Sequence, residues 1–134
     1  MKTVNPSNWP QPAGYSNAID ASGRVIVLSG QIGWDPLTRE LVSDDFVAQA
    51  GQAFRNIAAV LAAAGASPDQ VVRLTWYITD RAGYLDNRKA IGAAYREVFG
   101  RHFPAMSVVV VVGLLEPRAL LEIEATAVVP ISPA

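Results

Sequence analysis

The chain has 134 residues, 51% of them apolar and 17% charged, which is the size and composition of one globular domain built on one core. Its formal net charge of −1 and pI near 5.7 leave no surplus of lysine and arginine to neutralise a phosphate backbone, so nucleic acid is disfavoured as a partner. Without cysteine there is no disulfide framework, no thiolate nucleophile and no thiolate metal site.

Residues 1–14 carry three prolines and a glycine and are expected to be an irregular lead-in. They lack the apolar core of a secretory signal, and no run reaches the roughly 18 apolar residues that span a bilayer, so the expected compartment is the cytoplasm. YSNAIDASGRVIVLSGQIG predicts two strands in a hairpin around Ser22-Gly23. WDPLTRELVSDD reads as loop, with Asp44 or Asp45 placed to cap a helix.

From Phe46 to Ala64 the apolar positions Phe46, Ala50, Ala53, Phe54, Ile57, Val60, Leu61 and Ala64 recur at helical spacing, and Gly65 stops the run. VVRLTWYITD alternates as a strand, with Val72, Leu74, Trp76 and Ile78 on one side and Arg73, Thr75, Tyr77 and Thr79 on the other. Tyr84 to Phe99 is expected to be a second helix, with Leu85, Ile91, Tyr95, Val98 and Phe99 facing inward. MSVVVVVG and LLEIEATAVV close the chain as strands. The order ββαβαββ describes an α/β sandwich, in α+β style, with two helices on one face of a mixed sheet and one domain over residues 1–134.

Five consecutive valines, Val108 to Val112, put apolar side chains on both faces of their strand, although the helices cover one face only. A second copy of the chain is the simplest cover, since a soluble monomer rarely exposes a large apolar sheet face. The expectation is a homo-oligomer packed sheet to sheet.

The inventory of reactive groups is sparse. His102 is the single histidine and no acidic cluster lies near it, so a surface or packing role is expected and no metal site. Ser29 in LSGQIG has neither a nucleophile elbow nor an evident base, and Gly30 and Gly33 beside it suit a chain turn or a pocket-lining backbone equally well. Glu122 and Glu124 alternate with Leu121 and Ile123 and so share one strand face, either solvated or lining a cleft where a carboxylate orients water. Tyr15 and Trp34 flank the first strands and could wall a small pocket. Met106 stands where a loop enters the valine strand, and its thioether neither grips a carboxylate nor moves a proton.

GYSNAI, VIVLSGQIGWDPLT, Gln49 and Asn56 in FVAQAGQAFRNIAAVLAAAGAS, VVRLTWYITD, Tyr84 with Asn87, HFPAMS and LEIEATA together resemble the Rid family (RidA, also called YjgF/YER057c/UK114), from about Tyr15 to Val129. The resemblance implies a chorismate-mutase-like fold, a homotrimer with clefts between subunits, and hydrolysis of reactive enamines and imines to a carbonyl compound and ammonia, without a cofactor. It implies a wall tyrosine at Tyr15, a loop backbone at Ser29 and Gly30, assisting backbone at Ser107 and Val108, and a water-holding catalytic glutamate at Glu122. The family's carboxylate-gripping arginine is replaced by Met106. Removing the partner of a buried carboxylate costs roughly 3–5 kcal/mol, which argues against efficient turnover of a small 2-imino acid unless Arg73, Arg88, Arg101 or Arg118 supplies the cation from another direction.

Three readings follow. The first is an enamine/imine deaminase with altered substrate anchoring. The second is a trimer that binds a small apolar metabolite without reaction, which Met106, Trp34 and the valines favour. A ribonuclease or translation-inhibitor role comes last, disfavoured by the acidic pI and the lone histidine.

Overall fold

The computed structural model describes residues 1–131. In chain order the elements are β1 (Lys2–Val4), β2 (Ala18–Asp20), β3 (Arg24–Gln31), β4 (Trp34–Asp35), β5 (Glu40–Leu41), α1 (Phe46–Ala63), a 3₁₀ turn at Pro68–Gln70, β6 (Val71–Ile78), α2 (Arg81–Leu85), α3 (Arg88–Phe99), β7 (Ala105–Val110) and β8 (Leu121–Val129). The central sheet runs β3-β8-β6-β7, antiparallel except for the β6–β7 pair, which is parallel. This is the mixed α+β architecture of the chorismate-mutase-like fold, and it retains the expected order ββαβαββ with short additions.

The additions lie where loops and irregular chain were expected. β1 forms inside the proline-rich lead-in and pairs with β2, while β4 and β5 make a small hairpin within WDPLTREL. The Ser22-Gly23 hairpin does not form, because β2 takes β1 as its partner and β3 pairs with β8 from the far end of the chain. Local turn chemistry reads only neighbours in sequence, whereas β8 offers β3 a long apolar ladder.

Helix α1 starts as expected: the Asp45 carboxylate accepts the Ala48 N–H at 2.9 Å. Phe46, Ala50, Ala53, Phe54, Ile57 and Leu61 are buried on the sheet, but Val60 is exposed and Gln49 and Asn56 are buried in its stead. The second helix is broken in two. Asp80 caps α2 through the Gly83 N–H at 2.9 Å, and Asn87 donates back to the Gly83 carbonyl at 2.8 Å, ending one helix and starting the next. The break turns Leu85 outward to solvent, against expectation.

Under the helices, Leu28, Leu74, Trp76, Ile78, Leu121 and Ile123 meet Phe54, Ile57, Leu61, Ile91 and Phe99 in one core. Phe54 is its hub, edge-on to Trp76, Tyr95 and Phe99 with ring centroids 5.5–5.8 Å apart. Tyr95 stacks between Phe99 and Phe103 and donates its hydroxyl to the His102 carbonyl at 2.6 Å. The sheet's other face bears no helix. Val25, Val27 and Val109 lie exposed along its flanks, yet its middle is polar, with Arg73, Thr75, Tyr77, Glu122 and Glu124. The bare face is therefore less apolar than the valine run suggests.

Burial raises the Tyr95 phenol above its ordinary value, so folding favours the neutral form. That contribution is fully present below about pH 10, the unfolded value, and is lost as pH rises toward the folded one. Tyr95→Phe is expected to cost about 0.5–1.5 kcal/mol at pH 8 through the lost hydrogen bond. The gap to the native protein should narrow at pH 11, as read from urea unfolding at both values; a gap that widens would contradict this.

Candidate functional site

Strand alternation sorts the predicted residues onto two sides of the sheet. Along β6, Leu74, Trp76 and Ile78 are buried under the helices, while Arg73, Thr75 and Tyr77 take the bare face. Register carries this parity to its neighbours. Met106 sits beside Leu74 and Val108 beside Trp76, on the helix side, and Ser107 sits beside Thr75 on the bare side. Glu122 pairs with Tyr77 and Glu124 with Thr75, both on the bare side. Within one chain, Met106 and Glu122 thus lie on opposite faces.

On the bare side, Gly30, Trp34 and Glu122 line an open cleft of about 350 Å³ together with Leu114, Leu115 and Glu116. Gly30 is there for close approach: a Cβ at this position would lie 2.6 Å from Glu122 Oε2 and 2.7 Å from its Cγ, so only glycine leaves the carboxylate where it is. Ser29 precedes it, exposed. The two glutamates are not equivalent. Tyr77 donates its hydroxyl to Glu124 Oε1 at 2.5 Å, and this bond, with smaller contributions from desolvation and the Glu124 charge, holds the Tyr77 phenol above its usual range. Glu124 is engaged in that pair, and Glu122 is the glutamate that lines the cleft.

On the helix side, Met106 is half-buried and lines a second cleft of about 510 Å³ with Tyr15, Trp76, Tyr84, Arg88 and Tyr95. Tyr15 reaches it because the next residue is fastened to the start of β7. Ser16 N–H donates to the Pro104 carbonyl at 3.1 Å, its hydroxyl to the Phe103 carbonyl at 2.5 Å, and it forms a parallel bridge with Ala105. Sequence reasoning missed Ser16, whose only signal was its place in GYSNAI. It also put Tyr15 and Trp34 in one pocket, whereas they line different clefts.

Two buried amides of α1 position the bare-side cleft. Gln49 donates to the Ser43 and Arg118 carbonyls at 2.9 and 3.2 Å and accepts the Leu120 N–H at 2.8 Å, which fixes the chain two residues before Glu122. Asn56 donates to the Ile32 and Trp34 carbonyls at 3.2 and 2.8 Å and holds the Trp34 backbone against the helix. Arg118 is bound to Asp44 at 2.8 Å, a contact that raises its pKa further. Arg73 lies on the bare face, its guanidinium 3.4 Å from the Ser107 hydroxyl. The His102 Nε2 lies 2.6 Å from the Val71 carbonyl, an acceptor, so Nε2 is the donor in this contact. Among the described residues no group of three or more histidine or acidic side chains could hold a metal ion, and no helix is long and apolar enough to cross a membrane.

The fold is that of a known class, and comparison with known proteins makes the assignment particular. Residues 7–129 match the family described as Endoribonuclease L-PSP, and the chain belongs to that family, the Rid or YjgF/YER057c/UK114 proteins. It is 38% identical over 132 residues to Protein DfrA of Myxococcus xanthus, covering 95% of each chain. To the 2-iminobutanoate/2-iminopropanoate deaminase of Salmonella typhimurium it is 36% identical, over 95% of this chain and 97% of the other. Among solved structures, the Rid-family protein YyfB of Yersinia pestis aligns with a TM-score of 0.84 at 36% identity, over 96% of this chain and 98% of that one.

Gln49→Leu leaves the part-buried Leu120 N–H without its acceptor. The expected cost is about 1–3 kcal/mol for that group alone, measured by chemical denaturation. Unchanged stability would show that the amide does not hold the entry to β8.

Proposed function

We propose that the chain is an enamine/imine deaminase of the Rid type, a cytoplasmic homotrimer whose sites lie between neighbouring copies and whose substrate anchoring is altered at Met106. Relatives named 2-iminobutanoate/2-iminopropanoate deaminase share 35–38% identity with it and support the reaction class. One observation carries the intersubunit site. Gly30 and Glu122 line a cleft on the bare face, Tyr15 and Met106 line one on the helix face, and no single chain joins the two. A second copy seated against the bare face would complete the first cleft with walls it lacks.

The chemistry asks little of the protein. Water held by Glu122 adds its oxygen to the imine carbon; the carboxylate takes one proton from it and passes that proton to the imine nitrogen, giving the carbinolamine. Glu122 then takes the hydroxyl proton and passes it to the amino group, so that C=O forms as the C–N bond breaks, ammonia leaves and the carboxylate is regenerated. Holding water and carbon together supplies most of the acceleration. Ser29, Gly30, Ser107 and Val108 contribute backbone groups to the substrate's polar end, and Tyr15 walls the site.

The second reading, an apolar-metabolite trimer without turnover, draws on the methionine and the aromatic lining of the larger cleft. A ribonuclease reading is weakened by His102, whose Nε2–H is already spent on the Val71 carbonyl, leaving one side of the only imidazole for acid–base work.

Ammonia release from freshly generated 2-aminoacrylate and from larger imines tests the proposal. Glu122→Ala is expected to lower turnover of the best imine about 10²–10⁴-fold. Gly30→Ala, which displaces the same carboxylate, should lower turnover markedly with little loss of stability. Met106→Arg should gain activity toward 2-aminoacrylate. Native-level turnover in Glu122→Ala would rule out its role, and no turnover of any imine by the native chain would favour the binding reading.

A further inference from the structure

Met106 removes a cation from the strand, but the cleft it lines is not without one. Arg88 opens α3 and lines the same cleft, where it is the single charged residue; no carboxylate is part of the lining. The other arginines that could compensate are elsewhere. Arg118 is paired with Asp44, Arg73 lies on the opposite face of the sheet from Met106, and Arg101 lines neither this cleft nor the Glu122 cleft. Arg88 has no ion-pair partner among the described residues. A guanidinium without a counter-ion beside an apolar, ring-lined hollow is the arrangement that takes a carboxylate.

The rest of the lining says what the carboxylate is attached to. At about 510 Å³ the cleft falls within the roughly 300–1,000 Å³ of ordinary ligand pockets, which is room enough for a ring. Tyr15, Tyr84, Tyr95, Phe103 and Trp76 offer ring faces and edges, and Met106 supplies a polarizable, adaptable wall that an arginine would have filled with charge. Trp76 adds a second polar signal. It is 2% exposed, lines the cleft, and its indole Nε1 has no hydrogen-bond partner among the described residues. Buried donors are rarely left unpaired, and Tyr84, packed edge-on against Trp76 with ring centroids 5.6 Å apart, lines the same cleft.

We propose that the cleft between α3, β6, β7 and the Tyr15 segment binds an aromatic carboxylate of the 2-imino or 2-keto acid type, with Arg88 as its counter-ion, Met106 and the surrounding rings against its aromatic group, and the Trp76 indole N–H as a donor to it. The assignment of an imino acid rests on the deaminase reading; the assignment of an aromatic carboxylate rests on the cleft alone. The exchange of arginine for methionine on β7 then shifts preference from small acids to ring-bearing ones, because the anchor moves to the helix and the vacated wall becomes apolar.

Phenylpyruvate, a stable carbonyl counterpart of an aromatic imino acid, is the probe. Titrating the full chain by calorimetry, we expect phenylpyruvate to bind at least tenfold more tightly than pyruvate. Arg88→Gln should weaken phenylpyruvate about 10- to 100-fold, with partial recovery in Arg88→Lys, and leave the uncharged phenylacetone unaffected. Trp76→Phe should weaken phenylpyruvate several-fold. Equal affinity for pyruvate and phenylpyruvate, or unchanged binding in Arg88→Gln, would overturn the assignment, and unchanged binding in Trp76→Phe would remove the indole from it. Ammonia release from the imines of phenylalanine and alanine separates the two layers. Turnover that ignores Arg88→Gln overturns this proposal and leaves the deaminase reading standing. Arg88-dependent binding without turnover supports the cleft and overturns the deaminase reading.

Discussion

The register of β8 between β3 and β6 decides what chemistry appears on which side of this protein. Because side chains alternate with a period of two, pairing Glu122 with Tyr77 puts it on the bare face, and it puts Leu121 and Ile123 into the core with no exposure to water. A slip of one residue would bury two glutamates beneath α1 and expose Leu121 and Ile123, the two largest core-facing side chains of β8. Neither carboxylate has a cation to receive it there, so the penalty runs to several kcal/mol per charge and the register is strongly enforced. The parallel β6–β7 pairing passes the same parity to Met106, which is thereby committed to the helix side.

Once the sheet fixes these faces, the connecting segments only have to meet them. Ser16 fastens the Tyr15 segment to the first residues of β7, and Gln49 and Asn56 tie the chain before Glu122 and around Trp34 to one helix. These buried side chains are polar and satisfied by backbone groups, which makes them costly to remove and precise in what they hold. The two clefts are then different environments. One is shallow and carries two acids, Glu116 and Glu122; the other is lined by rings and carries one base, Arg88. A reaction that needs a carboxylate for water and a cation for substrate finds Glu122 in one cleft and Arg88 in the other, and neither lining holds both.

Much of the fold was legible because periodicity and capping are local signals. Asp45, most of the stripe from Phe46 to Leu61, the alternation from Arg73 to Ile78 and the last strand read correctly from residue type and spacing, whereas a bulge between Val71 and Arg73 buries Val71 in place of Val72. What was not legible depends on distant partners. The β2–β3 hairpin lost to β1 and β8, the second helix broke where Asp80 accepts the Gly83 N–H and Asn87 donates to the Gly83 carbonyl, and Val60 yielded its buried place to Gln49 and Asn56 because loops remote in sequence needed their amides. For the site, Glu122 and Tyr15 stood out in sequence as a glutamate on a strand face and a ring beside a strand. Their separation onto opposite faces appears only with the register, and Arg88 looked like any other surface arginine at a helix start until the cleft around it was in view.

The account stands on the claim that two copies of the chain share one site. The most direct measurement is imine turnover in hybrids made by unfolding and refolding Glu122→Ala together with Arg88→Gln, each of low activity alone. If one copy supplies the carboxylate and its neighbour the arginine, a random equal mixture of cyclic trimers regains roughly a quarter of native activity, because each mixed trimer contains one intact site. If mixtures are no more active than the average of the two parents, the groups do not cooperate across a subunit boundary, and the shared site is wrong.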